Sequence, residues 1–141
     1  MTDKKPTGDV VLLTRLARSA YRNVDEKLLG MRLKEFTALS SLRDTGGRSQ
    51  RELADALLMD ANNLVLMLNI LEGRGHATRA RDPVDRRRHV VEITEGGRAA
   101  LTAAEDAMQQ ADDDVLGRLN SQERADLGRL LAKALGDDSE E

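Results

Sequence analysis

Apolar residues recur at steps of three and four along most of this chain, and the places where that rhythm stops divide it into elements. Val10, Leu13, Ala17, Ala20, Val24 and Leu28 share one helical face, which predicts an amphipathic helix over residues 9–29, ended by Gly30. Phe36, Leu39 and Leu42 predict a second helix over 33–44, stopped by the Gly46-Gly47 pair. The stretch SQRE that follows has the form of a capping box. In it the Ser49 hydroxyl accepts from the Glu52 amide while the Glu52 carboxylate reaches back. It starts a short third helix carrying Leu53, Ala54 and Leu57.

Asp60 is placed to cap a fourth helix running to Glu72, with Leu64, Met67, Leu68 and Leu71 facing inward. Two short helices joined by a tight turn make a helix-turn-helix. Gly73 and Gly75 close it, and the periodicity then changes. Residues 76–81 and 88–94 are short runs with β-branched residues on either side of DPVDRR, the pattern of a β-hairpin with a longer loop. From Glu95 onward the chain is helical again, with Leu101, Ala104, Met108, Ala111, Val115 and Leu119 in one stripe. Ser121 is expected to cap a last helix bearing Leu127, Leu130, Leu131 and Leu135, ahead of a solvated tail, GDDSEE.

The predicted class is mainly α with a small β-hairpin wing. A winged helix-turn-helix lobe occupies residues 33–95, and the remaining helices, 9–29 and 97–136, complete a single domain over residues 1–141. Composition narrows the chemistry. With one Phe, one Tyr and no Trp, the core has to be aliphatic. The absence of cysteine excludes disulfides, thiolate metal sites and thiol redox sensing. The start lacks the apolar core of a signal peptide, and no apolar run approaches bilayer length, so a cytoplasmic protein without membrane contact is expected.

The net charge of −3 conceals a segregation. Residues 1–73, 74–98 and 99–141 carry +1, +3 and −7. A basic middle followed by an acidic end suits a chain that presents one defined face to a polyanion. The basic surplus is concentrated at the hairpin, where Arg81, Arg86, Arg87 and Arg88 crowd around Pro83 with Asp82 and Asp85 among them. A solvated hairpin tip is the plain reading of such a run. The order of elements offers another. In a winged helix the second short helix enters the major groove and the hairpin lies along the adjacent backbone. A wing-tip cation can then enter a narrow minor groove, with an aspartate fixing its direction.

The segment DRRRHVVEITEGG, Asp85 to Gly97, resembles the wing signature of MarR-type (multiple antibiotic resistance regulator) transcriptional regulators: Asp, any, Arg, three residues, Val, any, Leu, Thr, two residues, Gly. Asp85, Arg87, Val91, Thr94 and Gly97 match it, and Ile93 stands for the leucine. SQRELADAL and ILEGRGHATRARDP are similar to the third helix and the helix-to-wing passage of that family, and the likeness covers residues 10–136. The resemblance implies a homodimer in which the first, fifth and sixth helices pack together and two winged lobes read a pseudo-palindromic operator in double-stranded DNA. The implied role is a repressor relieved by a small molecule. Residue patterning agrees in part, because the outer helices carry more apolar surface than a three-helix lobe can cover.

One departure concerns the reading helix. The family usually carries a basic residue on its groove face, whereas DANNLVLMLNILE has none between Asp60 and Glu72. Asn62, Asn63 and Asn69 can pair with adenine edges, and Val65 or Leu66 can touch a thymine methyl. Phosphate anchoring then falls to Arg48, Arg51, Arg74, Arg79 and the wing with its Arg81, where the resemblance implies that Arg87 enters the minor groove, that Asp85 aims it, and that Arg86 and Arg88 attend mainly to phosphates. The alternative is a winged-helix module that has lost DNA binding and docks a protein through Val65, Leu66 and Ile70.

Many members of the family that the chain resembles bind small aromatic acids or phenols in a cleft between the dimer helices and the DNA-binding lobe. By position, Arg15, Arg18, Tyr21 and Arg22 would face a small aromatic or anionic effector. His76 and His89 have no companions at metal-binding spacing, so no metal or other cofactor is expected. No nucleophile elbow, P-loop or dinucleotide fingerprint is present, and an enzyme is not expected.

Overall fold

A computed structural model describes residues 8–24 and 26–137. Its contacts fall into two compact units, one of residues 24–108 and the other built from the segments before and after it. The winged lobe is thus wider than the expected 33–95. Leu29 and Met31 enter its core from one side and Leu101 and Ala104 from the other, all at most 4% exposed.

The helix expected over 9–29 is two helices, α1 (Asp9–Asn23) and α2 (Glu26–Leu29). Asn23 ends α1 by turning its amide back to the Ser19 carbonyl at 2.7 Å, which gives the last turn a side-chain partner in place of further helix. Helix α3 (Leu33–Thr45) stops at Gly46, whose φ of 77° lies in the left-handed region that glycine adopts without strain.

A strand invisible in the sequence comes next: β1 (Arg48–Ser49), only two residues long, immediately before α4 (Gln50–Leu57). The capping box forms as expected. The Glu52 amide donates to Ser49 Oγ at 3.0 Å and the Ser49 amide to Glu52 Oε1 at 2.9 Å. Leu58, at φ 54°, caps α4 in the left-handed region, and the chain bends by 109° into α5 (Ala61–Gly73). Asp60 caps α5 by accepting from the Asn63 amide at 2.8 Å. The bend matches a helix-turn-helix crossing.

Strands β2 (Ala77–Arg81) and β3 (His89–Ile93) pair antiparallel, with Arg79 opposite Val91, and β1 joins the far edge of β3 with Arg48 also opposite Val91. Each strand begins one residue inside the expected hairpin run. Leu39, Leu42, Leu53, Leu64, Leu68, Leu71, Val91 and Leu101 fill the lobe core with at most 1% exposure. Each such side chain contributes about 2 kcal/mol through removal from water, and together they seat α5 on the sheet.

Helix α6 (Glu95–Val115) follows β3 directly. Helix α7 (Ser121–Leu135) is capped by Asn120 and not by Ser121. The cause is register: Glu123 stands three residues after Asn120 and closes a capping box, whereas the corresponding residue for Ser121 is Arg124. Neither α1 nor α7 buries a single residue in this chain. Val10, Val11, Leu12, Leu13, Leu130 and Leu135 are all exposed, between 44% and 75%.

Candidate nucleic-acid interface

Helix α5 is fixed by its inward stripe, so its other face is set by elimination. Asn62, Asn63, Leu66, Asn69 and Ile70 lie on that outer face, with Leu66 62% exposed. Asn62 has no side-chain partner among the described residues. Asn63 is engaged, because its Nδ2 donates to Asp60 Oδ2 at 2.9 Å alongside the cap. Val65 is half-buried.

The wing loop is built on Asp82. Its Oδ1 accepts from the Val84 amide at 2.8 Å, and the Asp82 amide donates to the Arg88 carbonyl at 2.9 Å, closing the loop around Pro83. Within that frame Asp85 accepts from both the backbone amide and Nε of Arg87, each at 3.1 Å. These bonds hold the Asp85 carboxyl below its usual value, the side-chain bond from Arg87 contributing most. The Arg86 side chain is exposed without a partner among the described residues, Arg81 donates to the Arg86 carbonyl at 2.8 Å, and Arg88 stands 3.6 Å from Glu52 of α4. The Glu52 carboxyl is itself held low, first by the Ser49 amide.

An open cleft runs between the wing and the helix-turn-helix, lined by Ser49, Arg51, Asp55, Met59, Arg87 and Arg88 among others. Arg51 is exposed there without a partner among the described residues, while Arg48 is half-buried on β1 with its Nε unbonded. Two of the expected anchors are instead committed inside the lobe. Arg74 donates to Glu35 Oε1 at 3.0 Å, where Glu35 is 2% exposed. Arg79 reaches from β2 to Glu72 at 2.6 Å and to Asn69 at 2.6 Å. The sequence offered a faint signal for this second group, since Asn69 and Glu72 are one helical turn apart and so share a side of α5. Nothing local foretold the pairing of Arg74 with Glu35, which lie 39 residues apart.

Arg15, Arg18, Tyr21 and Arg22 are all exposed on α1. No single helix among the described residues is long and apolar enough to cross a membrane.

The remaining motif positions each have a local task. Val91 is fully buried, and Thr94 ties the end of the hairpin to its start by donating to the Gly75 carbonyl at 2.5 Å while accepting from the Gly97 amide at 3.0 Å. Gly97 packs so close to the His76 carbonyl that a Cβ there would run into it. Helix-turn-helix, basic wing and open outer helix face together define a winged-helix regulator of transcription. The MarR family model matches residues 31–89. Over 140 residues, 98% of this chain and 99% of the other, the chain is 31% identical to the HTH-type transcriptional repressor Mb2911 of Mycobacterium bovis. Two solved structures are similar at 26% identity. One is a mutant MarR from E. coli complexed with operator DNA, with a TM-score of 0.74 over 89% of this chain and 92% of that one. The other is Bordetella bronchiseptica BpsR, whose DNA binding is regulated by 6-hydroxynicotinic acid, with a TM-score of 0.73 over 89% and 96%. The chain belongs to the MarR family, whose members are transcriptional regulators and not enzymes.

Proposed function

We propose that this chain is a cytoplasmic repressor that binds a pseudo-palindromic operator as a homodimer and is released by a small aromatic or anionic effector. The observation that carries the reading is the convergence, in one lobe, of an unobstructed outer α5 face and a wing whose Arg86 and Arg87 are exposed. Arg51, Asn62, Leu66, Asn69, Arg86, Arg87 and Arg88 are among the contacts it assigns to DNA. Dimerisation is supported by α1 and α7, in which no residue is fully buried among the described residues and whose Val10, Val11, Leu12, Leu13, Leu130 and Leu135 stand exposed. Such surface is expected to be hidden by a second copy. Two lobes so related set their reading helices about one DNA turn apart, roughly 34 Å. Arg15, Arg18, Tyr21 and Arg22 are assigned to the effector, in keeping with the aromatic acid that regulates BpsR.

The exposure of Leu66 and Ile70, 62% and 38%, favours a second reading, a module that docks a protein instead of DNA. A salt titration of duplex binding separates the two. Operator binding weakens by orders of magnitude between about 50 and 200 mM salt if six or more phosphates are contacted, whereas apolar docking does not. For the dimer, Leu131→Asp places a charge in the apolar surface of α7 and releases or unfolds monomers in sedimentation. A native chain that sediments as a monomer at micromolar concentration overturns the homodimer.

A further inference from the structure

The three asparagines on the outer face of α5 are in three different hydrogen-bonding states. Asn62 is unengaged among the described residues, and Asn63 gives one amide hydrogen to Asp60. Asn69 is bound through its other end: Oδ1 accepts from Arg79 Nη2 at 2.6 Å. Arg79 is in turn held by Glu72, with Nε at 3.0 Å and Nη2 at 2.6 Å from Oε1, and with its backbone amide at 3.2 Å from Oε2. One guanidinium therefore spans two residues a turn apart on α5 and links that helix to β2.

This bridge dictates which way the Asn69 amide faces. Arginine offers only donors, so the carbonyl oxygen must be the end turned toward it. The amide nitrogen is left on the open side, and Asn69 Nδ2 makes no bond among the described residues. Pairing with adenine needs both ends of a carboxamide on the base edge, the nitrogen toward N7 and the oxygen toward the N6 amino group. Asn69 presents the nitrogen alone. Adenine offers that nitrogen one acceptor, N7, beside an amino group that only donates, whereas guanine offers two neighbouring acceptors, O6 and N7, one for each amide hydrogen.

We propose that Asn69 is a donor-only reader that selects guanine, and that Arg79 is the positioning residue that makes it so. The proposal rests on the operator-binding reading above. It assigns adenine recognition to Asn62 and removes Arg79 from the phosphate anchors.

The test is selection from a randomised duplex library by the full-length chain and its variants, with affinities then measured on single-base substitutions of the selected site. The native chain is expected to enrich a guanine whose replacement by adenine weakens binding about tenfold, the lower range for one good base contact. Asn69→Ala should abolish the preference at that base alone and leave the others intact. Asn69→Asp keeps the Arg79 partner but presents an acceptor, so the preference should move to cytosine, whose N4 donates. Arg79→Met frees the Asn69 oxygen and should shift the preference toward adenine, with the salt dependence unchanged because no phosphate contact is lost. Arg79→Lys, another pure donor, should retain guanine. If Asn69→Ala changes no base preference, or changes an adenine, the donor-only assignment is overturned even if Arg79→Met fails to fold. If the native chain enriches no sequence at all, the operator reading fails first and takes this assignment with it.

Discussion

Arg87 projects from the wing with 91% of its side chain exposed, yet its Nε lies 3.1 Å from Asp85 Oδ1. A long cation in water ordinarily samples many rotamers. Here the neighbouring carboxylate, itself anchored by the Arg87 amide, restricts that freedom before any DNA arrives. The restriction gives Asp85→Ala opposite consequences under two accounts. Simple electrostatics says that removing a negative charge from the wing tightens binding. Aiming says that binding weakens, because Arg87 must be ordered by the DNA alone. We expect weaker binding at fixed salt in a titration of labelled duplex, with an unchanged circular dichroism spectrum.

The same pair fixes a pH dependence. The folded Asp85 carboxyl titrates below its ordinary value, so its contribution is fully present above the unfolded value and is lost only as pH falls through the lowered folded one. The wing therefore keeps its aim across the whole neutral range. An NMR titration of the Asp85 carboxyl should give a midpoint below that of the same residue in an unstructured peptide, and Arg87→Ala should return it toward that value.

The wing arginines should separate by DNA context. Arg87→Ala is expected to cost more on an A·T-rich flank than on a G·C-rich one, because a narrower minor groove strengthens the contact that is lost. Arg86→Ala should weaken both alike and lower the salt slope by about one unit, the mark of a phosphate contact. Competition binding on paired duplexes that differ only in the flank reads both effects.

Arg74 should behave as part of the framework. It neutralises Glu35, which is 2% exposed and also accepts from the Arg32 amide at 3.1 Å at the start of α3. Arg74→Met leaves that carboxylate without its cation. The cost should be about 2 kcal/mol in denaturant unfolding, less than for a fully buried pair because the Arg74 side chain is 46% exposed. The salt slope of DNA binding by the folded variant should not change.

Gly97→Ala should be among the most damaging small substitutions in the lobe. The added methyl meets the His76 carbonyl where α6 passes the start of the hairpin, and backbone cannot yield as a flexible side chain does. A loss of about 1–3 kcal/mol is expected by thermal unfolding, with Gly96→Ala milder.

Local rules made much of this fold legible. The Ser49–Glu52 box, the Asp60 cap and the inward stripe Leu64, Met67, Leu68, Leu71 are each written within one or two helical turns, and each forms as read. The strand β1 escaped because two residues carry no periodicity, and its existence depends on Val90 and Val91, far along the chain. The break after Asn23 escaped because the apolar rhythm continues through it to Leu28. At the candidate interface, sequence placed the exposed Arg86 and Arg87 on the wing, where the bonds from Arg87 to Asp85 are local. It could not tell Arg74 and Arg79 from them, since a charge is a candidate anchor until its partner is known, and both partners become visible only in the fold.

The central claim, a dimer that reads two related half-sites with basic wings beside them, is tested most directly by sequencing the duplexes that the native chain retains from a randomised library at physiological salt. The account predicts an inverted repeat whose half-site centres lie about 10 base pairs apart, or a multiple of that spacing, with A·T-rich sequence where the wings fall. Retention of unrelated sequences, or of a single half-site with no inverted partner, would contradict it.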